Sequence, residues 1–483
     1  MVEYIHRNVD SELIAWKEDS MRKPLLLRGA RQVGKSSAVK NFGKQFEYFA
    51  EVNFERHKAI KTFFHGDIDV RLIAKKIITM MKRYNSIFMA LVALALFACQ
   101  GRKTASGDGD GGDTLKMKYA RLLTIVRHGE GTYGEGTYDE VMIANPWKAG
   151  TLLHRYILVP KGKEGDETVA QLARRRASGV RCTTDTVRTP VESSAVFMAP
   201  HCQLMYELGV GNAIRGVCDL DYINIPDIRK RVSSSSIVDC GSSMAPDLER
   251  IIALKPEAIL VSPFENSGGY GKLDKLRIPL IEAADYMETS PLGRAEWMKF
   301  YGMLFGSRQA DSLFAGIEKE YLSLKSVAGK LPEGLSVLTE RKTGGVWYVP
   351  GGRSTIALLL KDAHARYVFA DDDHSGSLAM SPEQILARGR EIDVWAFKYF
   401  GGAPLDKAQL LQEYEGYKAL SAFQRGSIYE VDTSRVPYFE LTSFHPELLL
   451  REFILLSHPA TDARYAWNGE LRKLGTLRFY QPL

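Results

Sequence analysis

A phosphate-binding motif is the first stretch of this 483-residue chain whose residue types and spacing could do chemistry. Residues 29–36 read GARQVGKS and fit the pattern G-x-x-x-x-G-K-[ST]. Gly29 and Gly34 let backbone N–H groups wrap phosphate oxygens, Lys35 reaches the outer phosphates, and Ser36 can ligate Mg²⁺. The motif therefore predicts nucleotide binding, with ATP and Mg²⁺ as the ligands.

The residues that would complete an ATPase are not found near this loop. Phosphoryl transfer also needs an acidic residue at the end of a second strand, a water-positioning group and usually an arginine finger. No apolar strand ending in Asp lies between residues 69 and 80. Residues 1–77, with SELIAWK before the loop and FEYFAEVNFE after it, resemble the truncated opening of bacterial AAA-type ATPases. We expect a P-loop α/β fragment without catalytic residues; a functional ATP-binding ATPase is the alternative.

A second chemical motif, RHGE at 127–130, follows a strand pattern and matches the histidine phosphatases, in which the histidine takes the phosphoryl group. That chemistry also needs a second histidine and another arginine around the same phosphate. The GTYGEGTYDE that follows is typical of a turn. We interpret the tetrapeptide as a coincidence and keep a phosphatase as a third hypothesis.

Residues 80–99 have the layout of an export signal. Lys82 and Arg83 form a basic start, and residues 87–98 are an unbroken apolar run that is shorter than the about 20 residues of a membrane-spanning helix. The closing LFAC resembles a bacterial lipobox, which implies lipidation of Cys99. Residues 100–118 are rich in Gly and Asp and predict a flexible linker. The alternative is a buried helix of a cytosolic domain.

The composition is that of an ordinary globular protein, with 45% hydrophobic and 25% charged residues. The net charge of +6 is small for this length, and basic and acidic residues are interspersed, so a nucleic-acid partner is not expected. The remaining cysteines lack the spacing of a metal site, and in an oxidising compartment their pairing stays open. They are Cys182, Cys202, Cys218 and Cys240.

An internal repeat organises the second half of the chain. LERIIALKPE at 248–257 aligns with PEQILARGRE at 382–391, with Glu, Ile, Ala and Glu at the same places. Each copy starts at a proline suited to a first helical turn, Pro246 or Pro382, and runs into a buried-strand pattern. The repeat predicts two lobes of similar construction.

A long amphipathic helix is predicted between the two copies. Residues 310–328 carry apolar side chains at i, i+3 and i+4 spacing. We therefore expect an α/β fold in which an N-terminal lobe at 119–306 is joined by a helix within 307–332 to a C-terminal lobe at 333–483.

Several motifs in this region resemble one family. PDLERIIALKPEAILVS, GGVWYVPGGRS, LAMSPEQILARGREIDVWAF and FHPELLLREFILLSHP are similar, in order, to class III periplasmic substrate-binding proteins of ABC importers. The resemblance implies two Rossmann-like lobes joined by one helix, with an iron-siderophore, haem or cobalamin-type ligand held between them. It also implies a monomer that is lipid-anchored in the periplasm, performs no catalysis, needs no cofactor and delivers its ligand to an ABC transporter permease dimer.

The same resemblance assigns a docking role to two residues. One glutamate in each lobe of such proteins docks onto arginines of the permease, and the matching positions are Glu249 and Glu383. The internal repeat pairs the same two residues. The simpler explanation is that they complement the dipoles of their helices.

Loops at the carboxyl ends of parallel strands face the crevice in open α/β sheets. Aromatic planes with one or two cations in such loops suit a large flat or anionic ligand. His201 is also a candidate ligand of haem iron, with a packed histidine as the alternative. The predicted ligand-binding residues are His201, Phe264, Asn266, Tyr270, Trp347, Tyr348, Arg353 and Tyr438; a bare-metal site is not predicted.

Overall fold

The computed structural model describes residues 8–18, 39, 41–43, 45, 113–129, 137–162, 165, 184–265, 269–466 and 468–483. Two compact units are distinguished, Met1–Asp108 and Gly109–Leu483. In the first, helix α1 (Asn8–Glu18) places Trp16 edge-on to the buried Phe42, with ring centroids 6.4 Å apart. Five residues predicted to act in this unit lie outside the described residues: Gly29, Gly34, Lys35, Ser36 and Cys99.

The second unit begins with a five-stranded sheet that contains the RHGE motif. Its strands lie in sequence order, with β1 to β4 antiparallel and β5 parallel to β4. His128, at the end of β2, is buried, stacks on Tyr138 and lies 3.3 Å from a Glu140 carboxylate oxygen. The strands are β1 (Asp113–Leu115), β2 (Leu123–His128), β3 (Tyr138–Ala144), β4 (Leu152–Pro160) and β5 (Thr184–Thr189).

The first lobe, at residues 194–305, is built on a five-stranded parallel sheet. The order β12-β11-β6-β7-β8 is a doubly wound arrangement, and the central strand Ala258–Val261 is buried on both faces. Its strands are β6 (Ser194–Val196), β7 (Ile214–Val217), β8 (Val238–Asp239), β11 (Ala258–Val261) and β12 (Leu280–Glu282), with a hairpin of β9 (Gly241–Ser242) and β10 (Ala245–Pro246). Its helices are α2 (Ala199–Glu207), α3 (Pro226–Ser233), α4 (Leu248–Leu254), α5 (Pro291–Glu296) and α6 (Met298–Phe305).

Tyr156 joins the N-terminal sheet to the edge strand of the first lobe. Its hydroxyl donates to the Leu280 carbonyl at 2.7 Å and accepts from the Glu282 N–H at 2.9 Å. These bonds satisfy backbone groups that an edge strand would otherwise leave open. The N-terminal sheet therefore covers one edge of the lobe.

The second lobe, at residues 333–483, repeats the plan with a smaller sheet. Strands β13, β17 and β18 are parallel, β19 is antiparallel to β18, and a separate antiparallel sheet comprises β14 to β16. The strands are β13 (Val337–Leu338), β14 (Lys342–Thr343), β15 (Val346–Pro350), β16 (Ser377–Met380), β17 (Val394–Tyr399), β18 (Ile428–Asp432) and β19 (Gln481–Pro482).

A single long helix, α7 (Ala310–Ala328), connects the lobes with the bounds that the apolar spacing predicts. Phe314, Ile317, Tyr321 and Leu324 form its buried stripe. The fold class, two Rossmann-like lobes joined by a helix, is therefore confirmed. The remaining helices are α8 (Thr355–Asp362), α9 (Pro382–Ala387), α10 (Lys407–Glu413), α11 (Ser421–Arg425), α12 (Tyr438–Thr442), α13 (Pro446–Ser457) and α14 (Gly469–Lys473).

Both copies of the internal repeat form helices that start in the same register. The Asp247 side chain caps α4 and the Ser381 side chain caps α9, and the equivalent isoleucines Ile251 and Ile385 are fully buried. One detail of the prediction is wrong, because Pro246 ends strand β10 and does not start the helix. An aspartate cap performs the role in the first copy that a serine performs in the second.

The described cysteines are buried free thiols: Cys202, Cys218 and Cys240. Cys182 lies outside the described residues. Among the helices that the structure describes, none combines the length and the hydropathy needed to cross a bilayer.

The lobes also touch directly through His445 of the second lobe. Its Nε2 lies 2.8 Å from Glu207 of the first lobe, and its Nδ1 lies 2.8 Å from Glu447. Burial alone would lower the pKa of His445, but the two carboxylates outweigh burial and raise it to about 9. A charged imidazolium therefore bridges a carboxylate from each lobe.

We expect His445→Gln to remove a stabilisation that depends on pH. Because the folded-state pKa is raised, the contribution is fully present below the unfolded value of about 6.5 and is lost as the pH rises through about 9. Urea unfolding of wild type and variant between pH 6 and pH 10 should show the difference in unfolding free energy shrinking over this range. A difference in unfolding free energy that stays constant over this range would contradict the bridge.

Candidate ligand-binding cleft

One cavity lies at the carboxyl ends of the first lobe's strands. Its volume is about 410 Å³, and its walls are almost wholly apolar. Phe264, directly beyond β11, is half exposed, and Met244, at the tip of the β9–β10 hairpin, is 81% exposed. The other lining residues are Phe197, Met198, Ser243, Val261, Ser262, Pro263, Tyr270, Leu273 and Tyr286.

A second cavity, of about 570 Å³, lies between the lobes. Tyr286 lines both cavities, so the two adjoin at this ring. The second-lobe wall carries hydroxyl groups and the exposed ring of Tyr348. The other lining residues are Met287, Glu288, Thr289, Glu340, Arg341, Thr343, Pro350, Ser354, Thr355, Ile356, Ser375, Gly376 and Ser377.

A buried carboxylate fixes the backbone beside Tyr286. Asp285 is fully buried, and its Oδ1 lies 2.8 Å from His201 Nε2 and accepts from the Tyr301 hydroxyl at 2.9 Å. Its Oδ2 accepts from Arg294 Nε at 3.1 Å. Burial alone would raise the pKa of Asp285, but the charges and hydrogen bonds of these partners outweigh burial and hold the pKa below its ordinary value.

The Asp285 cluster is also a junction between the lobes. Phe444 of the second lobe packs edge-on against His201 and Tyr301, with ring centroids 5.2 and 6.0 Å away. The guanidinium of Arg294 lies 5.8 Å from the centre of the same ring. The ring that separates the two cavities is therefore anchored to a rigid interlobe core.

The charged groups that line the cleft are already paired. Arg341 Nη1 lies 2.9 Å from Glu413, and Glu340 forms an ion pair with Lys398. The Glu288 carboxylate accepts from the backbone N–H groups of Arg121 and Leu122 and from the Trp297 indole, all within 3.1 Å. Of the residues that the structure describes, no group of three His, Cys, Asp or Glu side chains is placed to hold a metal ion.

The amino-acid sequence of part of this region matches a known family. Residues 202–434 match the family of periplasmic binding proteins. The matching segment covers most of the first lobe, the connecting helix and the second lobe up to β18.

Relatives of this chain include two lipoproteins. An uncharacterized lipoprotein of Methanocaldococcus jannaschii is 26% identical over 240 residues, which cover 48% of this chain and 55% of the relative. A second from the same organism is 25% identical over 241 residues, which cover 48% of this chain and 61% of the relative. The chain thus spans less than two thirds of the length of either relative.

Solved structures similar to this chain include two whose names state what they bind. A periplasmic haem-binding protein of Pseudomonas aeruginosa has a TM-score of 0.44 and 18% identity, covering 56% of this chain and 94% of that one. A siderophore-binding protein of Vibrio cholerae has a TM-score of 0.41 and 17% identity, covering 56% of this chain and 100% of that one.

Three residues predicted from the sequence lie on the walls of the two cavities: Phe264, Tyr270 and Tyr348. Arg353 lies outside both linings, where it pairs with Asp373 at 2.5 Å. Asn266 lies outside the described residues.

Three other predicted residues belong to the interior, which corrects their expected place on the wall. His201 is held by Asp285 and Tyr301. Trp347 is fully buried and donates its indole N–H to the Glu340 carbonyl at 2.9 Å. Tyr438 is buried, and its hydroxyl lies 3.3 Å from that of Tyr480. These three side chains are therefore packed inside the lobes and do not line either cavity.

Sequence reasoning missed Tyr286, Met244 and Arg341. Tyr286 and Arg341 follow strands β12 and β13 within four residues, so the rule that nominated Phe264 could have found both. Met244 lies on a two-strand hairpin that carried no sequence signal beyond its glycine and serines.

We expect Asp285→Asn to destabilise the protein by about 3 kcal/mol, because it leaves His201 and Arg294 beside a neutral group in a buried site. Urea unfolding at pH 7 measures the change. The matched control, Asp373→Asn, breaks the exposed pair with Arg353 and should cost under about 1 kcal/mol. Equal losses in the two variants would contradict the role of the buried cluster.

Proposed function

We propose that the protein captures a metal chelate between its lobes and delivers it to the permease of an ABC importer. The observation that supports this proposal is the cleft itself. It lies at the carboxyl ends of parallel strands, and both lobes expose aromatic rings to it. Phe264 and Tyr286 come from the first lobe and Tyr348 from the second. Apolar concave walls with a few polar groups are typical of small-molecule sites. The chelate classes considered are iron-siderophores, haem and cobalamin-type corrinoids.

The two repeat glutamates are suited to docking on a permease. Glu249 and Glu383 are exposed at equivalent positions in the first turns of α4 and α9. Hydrogen bonds from the backbone N–H of Glu383 and from the Ser381 hydroxyl lower the pKa of the Glu383 carboxyl, which favours its charged form. One carboxylate on each lobe would let a permease with matching cations bind both lobes together.

The proposed location is the periplasm, with Cys99 as the lipid anchor and the protein as a monomer. The lipoprotein relatives and the signal-like sequence at 80–99 support this location. The proposal assigns no catalytic step to the described lobes, since the aromatic cleft suits binding and release.

We expect the double variant Glu249→Ala/Glu383→Ala to bind ligand as wild type does and to lose most transport. Binding is measured by titration calorimetry with the chelate that binds best, and transport by uptake of labelled chelate in cells that carry the cognate permease. The control Glu320→Ala/Glu415→Ala removes two exposed carboxylates elsewhere and should leave uptake unchanged. Unchanged uptake in the first double variant would refute the docking assignment.

We also expect Tyr286→Ala and Phe264→Ala each to weaken chelate binding roughly tenfold or more, because each removes an aromatic surface on which the ligand packs. Leu322→Ala removes an exposed apolar side chain from the connecting helix and serves as the control. Equal affinities of the Tyr286 variant, the Phe264 variant and the control would place the ligand elsewhere.

A further inference from the structure

We propose that the cleft selects metal chelates whose periphery is uncharged and hydrogen-bonding over chelates that carry free carboxylates or phenolates. This inference rests on the proposed function, because it concerns the ligand of the same cleft. It distinguishes among members of the three chelate classes by the charge of the groups at their periphery.

The charges on the cleft walls give the first argument. Of the described residues that line the two cavities, only Glu288, Glu340 and Arg341 have side chains of the charged types Asp, Glu, Lys and Arg. These sum to a formal charge of −1, and all three line the second cavity. An entering anion would therefore meet two carboxylates and one cation.

That one cation already has a carboxylate partner. Arg341 Nη1 lies 2.9 Å from Glu413, and its guanidinium stands 5.8 Å from the ring centres of both Phe397 and Tyr399. The Glu413 carboxylate is itself held by the Tyr417 hydroxyl at 2.7 Å. An anionic ligand would have to share Arg341 with Glu413, so it would gain less than it would from an unpaired cation.

The uncharged groups give the second argument. The second-lobe wall carries the hydroxyl residues Thr343, Ser375 and Ser377, and the first-lobe wall of the smaller cavity is mostly apolar. A chelate with an apolar face and peripheral amides or hydroxyls would pack on one wall and hydrogen-bond to the other. An anionic group would lose its water without gaining a partner of opposite charge, and burying an unpaired charge is costly.

The test compares chelates that differ only in peripheral charge. Titration calorimetry with the full chain uses cyanocobalamin against the carboxylic acids made by hydrolysing its side-chain amides, and haemin dimethyl ester against haemin. In whichever pair binds, we expect the uncharged member to bind roughly tenfold tighter or more. Equal affinity, or tighter binding of the acid, would overturn the selectivity while leaving the proposed function intact. Failure of all four compounds and of a ferric hydroxamate siderophore to bind would overturn both proposals.

A single substitution tests the physical cause. Glu413→Gln keeps the hydrogen bond from Tyr417 but removes the charge that holds Arg341, so binding of the acid should tighten several-fold while binding of the uncharged chelate stays unchanged. Glu415→Gln, two residues away and paired with Lys418 on the surface, is the matched control and should change neither affinity. An unchanged ratio of affinities in Glu413→Gln would overturn the proposal that paired cleft charges set the preference.

Discussion

The buried carboxylate of Asp285 is the interaction on which the arrangement of the cleft depends. It gathers a histidine from α2, an arginine from α5 and a tyrosine from α6, and Phe444 of the second lobe packs on the same cluster. A carboxylate without water is tolerable only when its lone pairs are satisfied, so the surrounding helices are fixed relative to one another. The next residue is Tyr286, and its ring therefore stands at a defined place between the two cavities.

The sequence was most informative where one physical rule acts alone. Helix α7 was predicted with its observed bounds because apolar spacing decides both its formation and its packing. The paired helices α4 and α9 were predicted from the repeat. The start of α4 was not, because the helix begins after the capping residue Asp247 and not at Pro246. The antiparallel arrangement of the N-terminal sheet was not predicted, because short strands of alternating pattern do not reveal their partners.

The predicted site residues divide between cavity walls and interior for a related reason. The rule of carboxyl strand ends nominated Phe264, Tyr270 and Tyr348, which line the cavities, but it cannot say which way a side chain turns. Trp347 and Tyr348 are neighbours on β15 and point to opposite faces, so one is fully buried and the other reaches the cleft. Likewise His201 is a suitable metal ligand by residue type, yet its partner Asp285 lies 84 residues away and is invisible to local reasoning.

Several contacts across the lobes argue for a cleft that is largely formed before ligand arrives. In addition to the interlobe contacts of His445 and Phe444, the Asn224 N–H donates to Glu440 at 2.8 Å. Tyr222 also contacts Phe400, with ring centroids 5.0 Å apart. Together with the helical connector, these contacts would have to break for a wide opening, and helices bend less readily than loops. Selectivity in such a site depends on the fixed complementarity of its walls. Arg341 and Glu413 both belong to the second lobe, so a movement of the lobes as rigid bodies would leave their ion pair intact.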